Sequence, residues 1–184
     1  MLTVQNKPKN EPGSLSKHII EIPDVLSNEQ IDRLKAYANG STSGLHRRGS
    51  KDMFTTASFY TCQVYRLDDE IYEILAPIWS NYEHQLSFIE PYEIKSYVEG
   101  DLFEYHTDSY FNLSQKVDRK LNLIIQMSDS DEYEGGDLMV GHFQCSRKKG
   151  TAIMFPACGL HCITPITKGT RYSLIGHGWG PYHI

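Results

Sequence analysis

Hydrophobic positions along the chain change period at residue 92. Before it, the pattern is short strands and helices. Residues 18–22 (HIIEI) read as a strand that Pro23 ends. Ser27 and Gln30 form a capping box, and Ile31, Leu34, Tyr37 and Ala38 recur at helical spacing. This predicts a helix over 27–39, stopped by Gly40. Residues 58–66 (SFYTCQVYR) read as a strand. Residues 69–86 read as a second helix with Ile71, Ile74, Leu75, Ile78 and Trp79 on one face and a kink at Pro77. From 92 onward, short β-branched stretches alternate with Gly, Asp and Pro punctuation, the spacing of an all-β sandwich or barrel. No internal repeat or low-complexity segment interrupts this order.

Three stretches carry other signals. Residues 1–17 are polar and read as a flexible tail ahead of one domain over 18–184. Residues 40–57 (GSTSGLHRRGSKDMFTTA) read either as a solvated loop or as a binding flap carrying Arg47, Arg48 and Lys51. Gly135-Gly136 reads as a hairpin turn, and Arg147, Lys148 and Lys149 as a solvated turn.

Composition narrows the function classes. The 184 residues suit one domain with a sizeable core. A net charge of -5 disfavours a broad nucleic-acid surface. No apolar run approaches the ~18–20 residues of a membrane span, and the first residues lack a signal-peptide core. The four cysteines are therefore expected as thiols in a reducing cytoplasm. The oligomeric state is not encoded in any pattern. The unusual number is eight histidines, since histidine is the commonest metal ligand.

Two histidines fall into a pattern. After the Glu99-Gly100-Asp101 turn, period-two alternation puts His106 and Asp108 on one side of a strand. His161 follows the break at Pro156–Gly159. Two histidines and a carboxylate on one face of a metal leave three positions open, as in non-haem Fe(II) oxygenases. On the next strand, Arg171, Ser173, Ile175, His177 and Trp179 share a face. A buried Arg requires an anion, and a ligand carboxylate gripped by Arg171 and Ser173 supplies one. His177 reads either as a packed histidine bonded to backbone or as a substrate-side group. Cys145, Cys158, His161 and Cys162 lack the spacing of a structural zinc site. His18, His46, His84, His142 and His183 have no partner pattern.

His106-x-Asp108, His161 and Arg171-x-Ser173 resemble the Fe(II)- and 2-oxoglutarate-dependent oxygenases. The segments YEGGDL (133–138), GTAIMFP (150–156) and TPITKGTRYSL (164–174) look like the prolyl 4-hydroxylase-type subgroup of bacteria and phages. The resemblance is strong over 92–184 and looser over DVLSNEQIDRL (24–34).

It implies a mainly β fold: a double-stranded β-helix, or cupin-like jelly roll, over 92–184, with an N-terminal helical support region over 18–91 packed against it. It implies Fe(II) on His106, Asp108 and His161, with 2-oxoglutarate and O2 as cosubstrates and ascorbate as an accessory reductant. Arg171 would hold the far carboxylate of 2-oxoglutarate, and Tyr97 matches a tyrosine lining that pocket or a core aromatic. The implied reaction hydroxylates an unactivated C–H bond and releases succinate and CO2. The expected substrate is a prolyl residue in a peptide or protein. The alternatives are a free amino acid, another side chain or a small metabolite, and a non-catalytic cupin-like module that binds a metal or ligand. Arg47, Arg48 and the 109–120 segment would form the rim. Two departures stand out. His177 replaces a Trp common six positions after the Arg, and Gln126 replaces a tyrosine found in some prolyl hydroxylases. Nucleic-acid repair relatives carry a second Arg at the position of His177.

Overall fold

In the computed structural model, residues 18–40, 46–51, 56–64, 67–81, 86–110 and 116–181 are described. The 1–17 tail, His84 and His183 lie outside them. The first half contains β1 (Ile20–Ile22), α1 (Asn28–Gly40), β2 (His46–Lys51), β3 (Thr56–Val64), α2 (Asp69–Leu75) and β4 (Phe88–Ile89). The second contains β5 (Tyr92–Val98), β6 (Leu102–His106), β7 (Val117–Gln126), β8 (Tyr133–Gly135), β9 (Leu138–Val140), β10 (Phe143–Gln144), β11 (Ala152–Pro156), β12 (His161–Ile163) and β13 (Ile166–Pro181).

The strands pair antiparallel along one path, β1-β11-β7-β13-β5-β3-β6-β12-β9-β10, with β2, β4 and β8 attached to its members. This is a jelly roll, a single curled antiparallel sheet. Period two sorts each long strand between two cores. On β7, Leu121, Leu123 and Ile125 pack on the outer face in a cluster with α1 and α2. Between them, Asn122, Ile124 and Gln126 are buried on the inner face. On β11, Ala152 and Met154 point outward while Ile153 and Phe155 point inward.

The helices begin where predicted. The Ser27 N–H donates to Gln30 Oε1 at 2.8 Å and the Gln30 N–H to Ser27 Oγ at 3.3 Å, two orphan donors satisfied reciprocally. Ile31, Leu34 and Ala38 are buried against the sheet. Asp68 caps α2 by accepting from the Ile71 N–H at 2.9 Å.

Four details differ from the sequence reading. The second helix is not kinked at Pro77 but ends at Leu75, and Ala76–Asn81 winds as a 3-10 helix. Pro77 has no N–H to continue the α ladder. The basic part of the 40–57 stretch is not loop: β2 pairs with β3 from His46↔Thr61 to Lys51↔Thr56. Arg147 is no solvated turn residue. Its Nη2 donates to Tyr133 O at 2.7 Å, and its guanidinium stacks 4.3 Å from the Tyr133 ring centroid. Gly135-Gly136 is not a hairpin turn, because β8 pairs with β13 while β9 pairs with β10 and β12.

Gly136 has a second role. Its φ is +64°, and a Cβ there would sit 2.2 Å from Ile166 Cδ1 and 3.3 Å from Arg171 Cδ. Only glycine leaves the Arg171 stem undisturbed. Gly136→Ala should lower stability by about 1–3 kcal/mol. Gly100→Ala has positive φ but nothing within 4 Å, and should cost less. Calorimetric unfolding of both variants measures the difference.

Candidate metal centre

Register brings the two histidines of the motif together. In the β12–β6 pair, His161 lies directly opposite His106, and directly opposed side chains are neighbours on one face. Their ring centroids are 4.2 Å apart. Asp108 arrives differently from the sequence reading. β6 ends at His106, and Asp108 lies beyond it, its N–H donating to Ala157 O at 2.9 Å. Ala157 belongs to the corner at Pro156–Gly159 that leads into His161. One backbone latch therefore joins both halves of the constellation. Asp108 Oδ2 lies 3.1 Å from His161 Nε2, and Asp108 Oδ1 lies 3.9 Å from His106 Nε2. Ligand atoms of the three residues lie within 4.8 Å of one another, and among the described residues no other such group of His, Cys, Asp or Glu occurs.

The histidine tautomers follow from their partners. His106 Nδ1 lies 2.8 Å from Glu104 O, and His161 Nδ1 lies 2.9 Å from Gly159 O. A carbonyl only accepts, so each Nδ1 carries a proton and each Nε2 is left facing the centre, free to act as a ligand when the imidazole is neutral. Burial, with the charge of His161, lowers the His106 pKa from 6.5 to about 4. Burial opposes ionisation of Asp108, but the hydrogen bond and charge of His161 outweigh it and hold the carboxyl well below its ordinary range. Two imidazoles and a carboxylate are a donor set that fits Fe(II).

Arg171 lies deeper in the same cavity. It is 1% exposed, the largest of the fully buried side chains. Its Nη2 donates to Gln126 Oε1 at 2.9 Å and its Nη1 to Ser173 Oγ at 3.3 Å. The guanidinium sits 5.7 Å from the Tyr97 ring centroid, across the β13–β5 register. Its Nε has no hydrogen-bond partner, and among the described residues no carboxylate pairs with it. A buried cation held only by neutral groups is costly. The residues therefore fit an anionic ligand such as a carboxylate of 2-oxoglutarate. Burial raises the Tyr97 phenol above its ordinary value despite the Arg171 charge, so it remains neutral beside that site.

The cavity is narrow, about 30 Å³, and its wall includes the triad, Arg171, Ser173, Tyr97 and His177. A larger groove of about 840 Å³ runs beside Trp79, Leu86 and Tyr92. It contains none of these groups, so the smaller space is the candidate site. Three residues not singled out as site residues in the sequence also line or support it. Lys95 and Asn122 are in the wall, and Gln126 braces Arg171. The polar Asn122 and Gln126 in the otherwise apolar LNLIIQ strand were the signal available. His177 is buried, and its partner is the Asn122 side chain at 2.9 Å rather than backbone. Trp179 continues beyond the cavity, stacked on Phe88 and Tyr110. Arg48 is exposed on β2 and is not in the wall; the Arg47 side chain lies outside the described residues. Cys145 and Cys162 are buried, Cys158 is exposed, and the four cysteines form no disulfide.

These environments set a pH dependence. Burial, aided by Arg119 and Lys95 against Asp108, lowers the His177 pKa to about 3. The folded values of His106 and His177 both lie below 6.5. As pH falls, the unfolded chain therefore takes up these protons first. Metal-free protein should hold this contribution in full above about pH 6.5 and lose it progressively toward pH 4. Thermal unfolding across that range should show the decline, and His177→Phe should make it shallower.

The comparisons with known proteins follow the same residues. The model of the 2OG-Fe(II) oxygenase superfamily matches residues 92–179. A PKHD-type hydroxylase of Acinetobacter baylyi is 25% identical over 173 residues, covering 84% of this chain and 75% of the relative. One of Saccharophagus degradans is 27% identical over 170 residues, covering 83% and 74%. The fold matches a viral collagen prolyl hydroxylase from Paramecium Bursaria Chlorella virus-1, solved as its 2OG complex. The TM-score is 0.71 at 16% identity, over 89% of this chain and 96% of that one. A Pseudomonas putida prolyl-4-hydroxylase matches with a TM-score of 0.64 at 14% identity, over 88% and 91%. Among the described residues no helix is long and apolar enough to cross a membrane. The His-Asp-His constellation and the buried arginine thus fall within the segment that matches the 2OG-Fe(II) oxygenase superfamily, and the chain is similar to PKHD-type hydroxylases in sequence and to prolyl hydroxylases in fold.

Proposed function

We propose that the chain hydroxylates a prolyl residue in a peptide or protein, with His106, Asp108 and His161 holding Fe(II) and Arg171 holding 2-oxoglutarate. The observation that carries this reading is the buried guanidinium of Arg171, without a carboxylate partner, in the same cavity as the triad. A metal-binding module without a cosubstrate has no use for it.

Bound Fe(II), with 2-oxoglutarate and O2, supplies the oxidising chemistry that hydroxylates a C–H bond and yields succinate and CO2. The protein's own residues hold and orient. Glu104 O and Gly159 O fix both imidazoles with Nε2 toward the centre. Arg171 offers a planar fork to a carboxylate, with Ser173 and Gln126 setting its angle. Ile124, Leu138, Ile163 and Ile175 are apolar members of the wall, beside Lys95, and exclude water.

Two observations support a prolyl substrate. The structural neighbours include prolyl hydroxylases, one of them solved with a peptide fragment. At the rim, Phe88, Trp179 and Tyr110 stack in a strip with centroid spacings of 5.6 and 5.8 Å. Arg119 links this strip to the centre. Its guanidinium lies over the Tyr110 and Trp179 rings, and its Nη1 is 3.9 Å from Asp108 Oδ1. Phe88 and Tyr110 are exposed. Aromatic faces are suited to pyrrolidine rings, as in the recognition of proline-rich segments.

The test is mass spectrometry of a proline-containing peptide library incubated with Fe(II), 2-oxoglutarate and the protein. One added oxygen on proline is expected. Oxygen added only to non-proline residues or to free metabolites would contradict the prolyl reading. Arg171→Ala should raise the 2-oxoglutarate requirement about 10- to 100-fold, the loss of a charge-assisted hydrogen bond. Trp179→Ala should instead raise the peptide KM about 2- to 10-fold.

A further inference from the structure

Asp108 has a partner besides the two histidines. Asn122, 1% exposed on β7, donates from Nδ2 to Asp108 Oδ2 at 2.7 Å. On the adjoining strand, His177 lies directly opposite Asn122 in the β13–β7 register. His177 Nδ1 is 2.9 Å from Asn122 Oδ1.

Elementary chemistry forces the direction of this chain. An ionised carboxylate only accepts, so Asn122 turns its NH2 to Asp108 and its carbonyl to His177. The carbonyl only accepts, so His177 carries its proton on Nδ1. Reversing the amide would set a carbonyl against the carboxylate and an NH2 against the imidazole. Each group thus fixes the next, and the last one fixed is Asp108.

The polar pair is costly in this location. Leu121, Leu123 and Ile125 alternate with Asn122 along the strand, and Ile124 and Ile175 flank it on the inner face. A buried amide is tolerated only when both ends are satisfied. Here both ends are satisfied by side chains of the cavity wall, which couples this pair to the site.

We propose that Asn122 and His177 are positioning residues for the metal ligand Asp108. His177 locks the Asn122 amide, and Asn122 pins one carboxylate oxygen, so that the carboxyl plane is set before a metal arrives. His177 acts only through Asn122. This rests on the reading of Asp108 as a metal ligand.

The test titrates Co(II) anaerobically into the metal-free full chain, read by calorimetry and visible absorption. Asn122→Ala should weaken Co(II) binding about 10- to 100-fold, the size of effect that outer partners of metal ligands have. His177→Phe should weaken it less. The double variant should bind no worse than Asn122→Ala alone, because the two lie on one line of action. Binding by Asn122→Ala within threefold of the unaltered chain, or additive losses in the double variant, would overturn the proposal.

Asp108→Ala, run in parallel, separates the two levels. If it loses Co(II) while Asn122→Ala keeps it, the positioning role fails and the metal reading stands. If Asp108→Ala binds as the unaltered chain does, the metal reading fails and the positioning role with it. Should Asn122→Ala fail to fold, nitrogen-15 NMR of the unaltered chain decides. A proton on His177 Nδ1 supports the proposal, and a proton on Nε2 overturns it.

Discussion

The antiparallel register of β6 with β12 is the constraint on which the site depends. It sets His106 opposite His161, and nothing in either segment alone would do so. A slip of either strand by one residue would turn its imidazole to the other face, away from its partner. The register is held from outside the pair. β6 is joined to β3 at its start, β12 is joined to β9 along its length, and the Asp108 and Ser109 N–H groups are both tied to Ala157 O. The rigid roll thus prearranges a metal-binding face that flexible segments could not hold.

A second constraint is electrostatic. The inner face carries a buried guanidinium at one end and a carboxylate with two imidazoles at the other. Between them the protein supplies neutral hydrogen-bonding groups: Ser173, Gln126, Asn122 and His177. These groups orient the charges without neutralising them. The cation therefore remains available to an anionic ligand and the carboxylate to a metal. An enzyme that must bind a dicarboxylate beside a cation has reason to leave the Arg171 charge without a carboxylate partner in its own fold.

Much of this was legible in the sequence. His106-x-Asp108 and Arg171-x-Ser173 are short local motifs, and period two puts Arg171 and Ser173 on one face of β13, although Asp108 lies just past the end of β6. The capping box at Ser27 and the change of period at residue 92 were equally local. What escaped depended on partners distant in the chain. Asn122 and Gln126 acquire their roles from partners distant in the chain, His177 and Arg171 on β13 some fifty residues away and, for Asn122, Asp108 as well. His177 was legible as sharing the face of Arg171, but its partner Asn122 on β7 was hidden for the same reason. The β2 strand was missed because GSTSGLHRRGSK shows no apolar alternation, and its order comes from pairing with β3. Gly135-Gly136 resembled a hairpin because turn chemistry does not say which strands the turn joins.

The central claim is that one cavity binds a metal through Asp108 and its two histidines and uses it to consume 2-oxoglutarate. The most direct measurement is succinate formation from 2-oxoglutarate in air by metal-free protein, with and without added Fe(II), for the unaltered chain and for Asp108→Ala. The account predicts Fe(II)-dependent succinate from the unaltered chain and none above background from Asp108→Ala. Equal succinate from both, or none from folded protein supplied with Fe(II) and a peptide it binds, would contradict it.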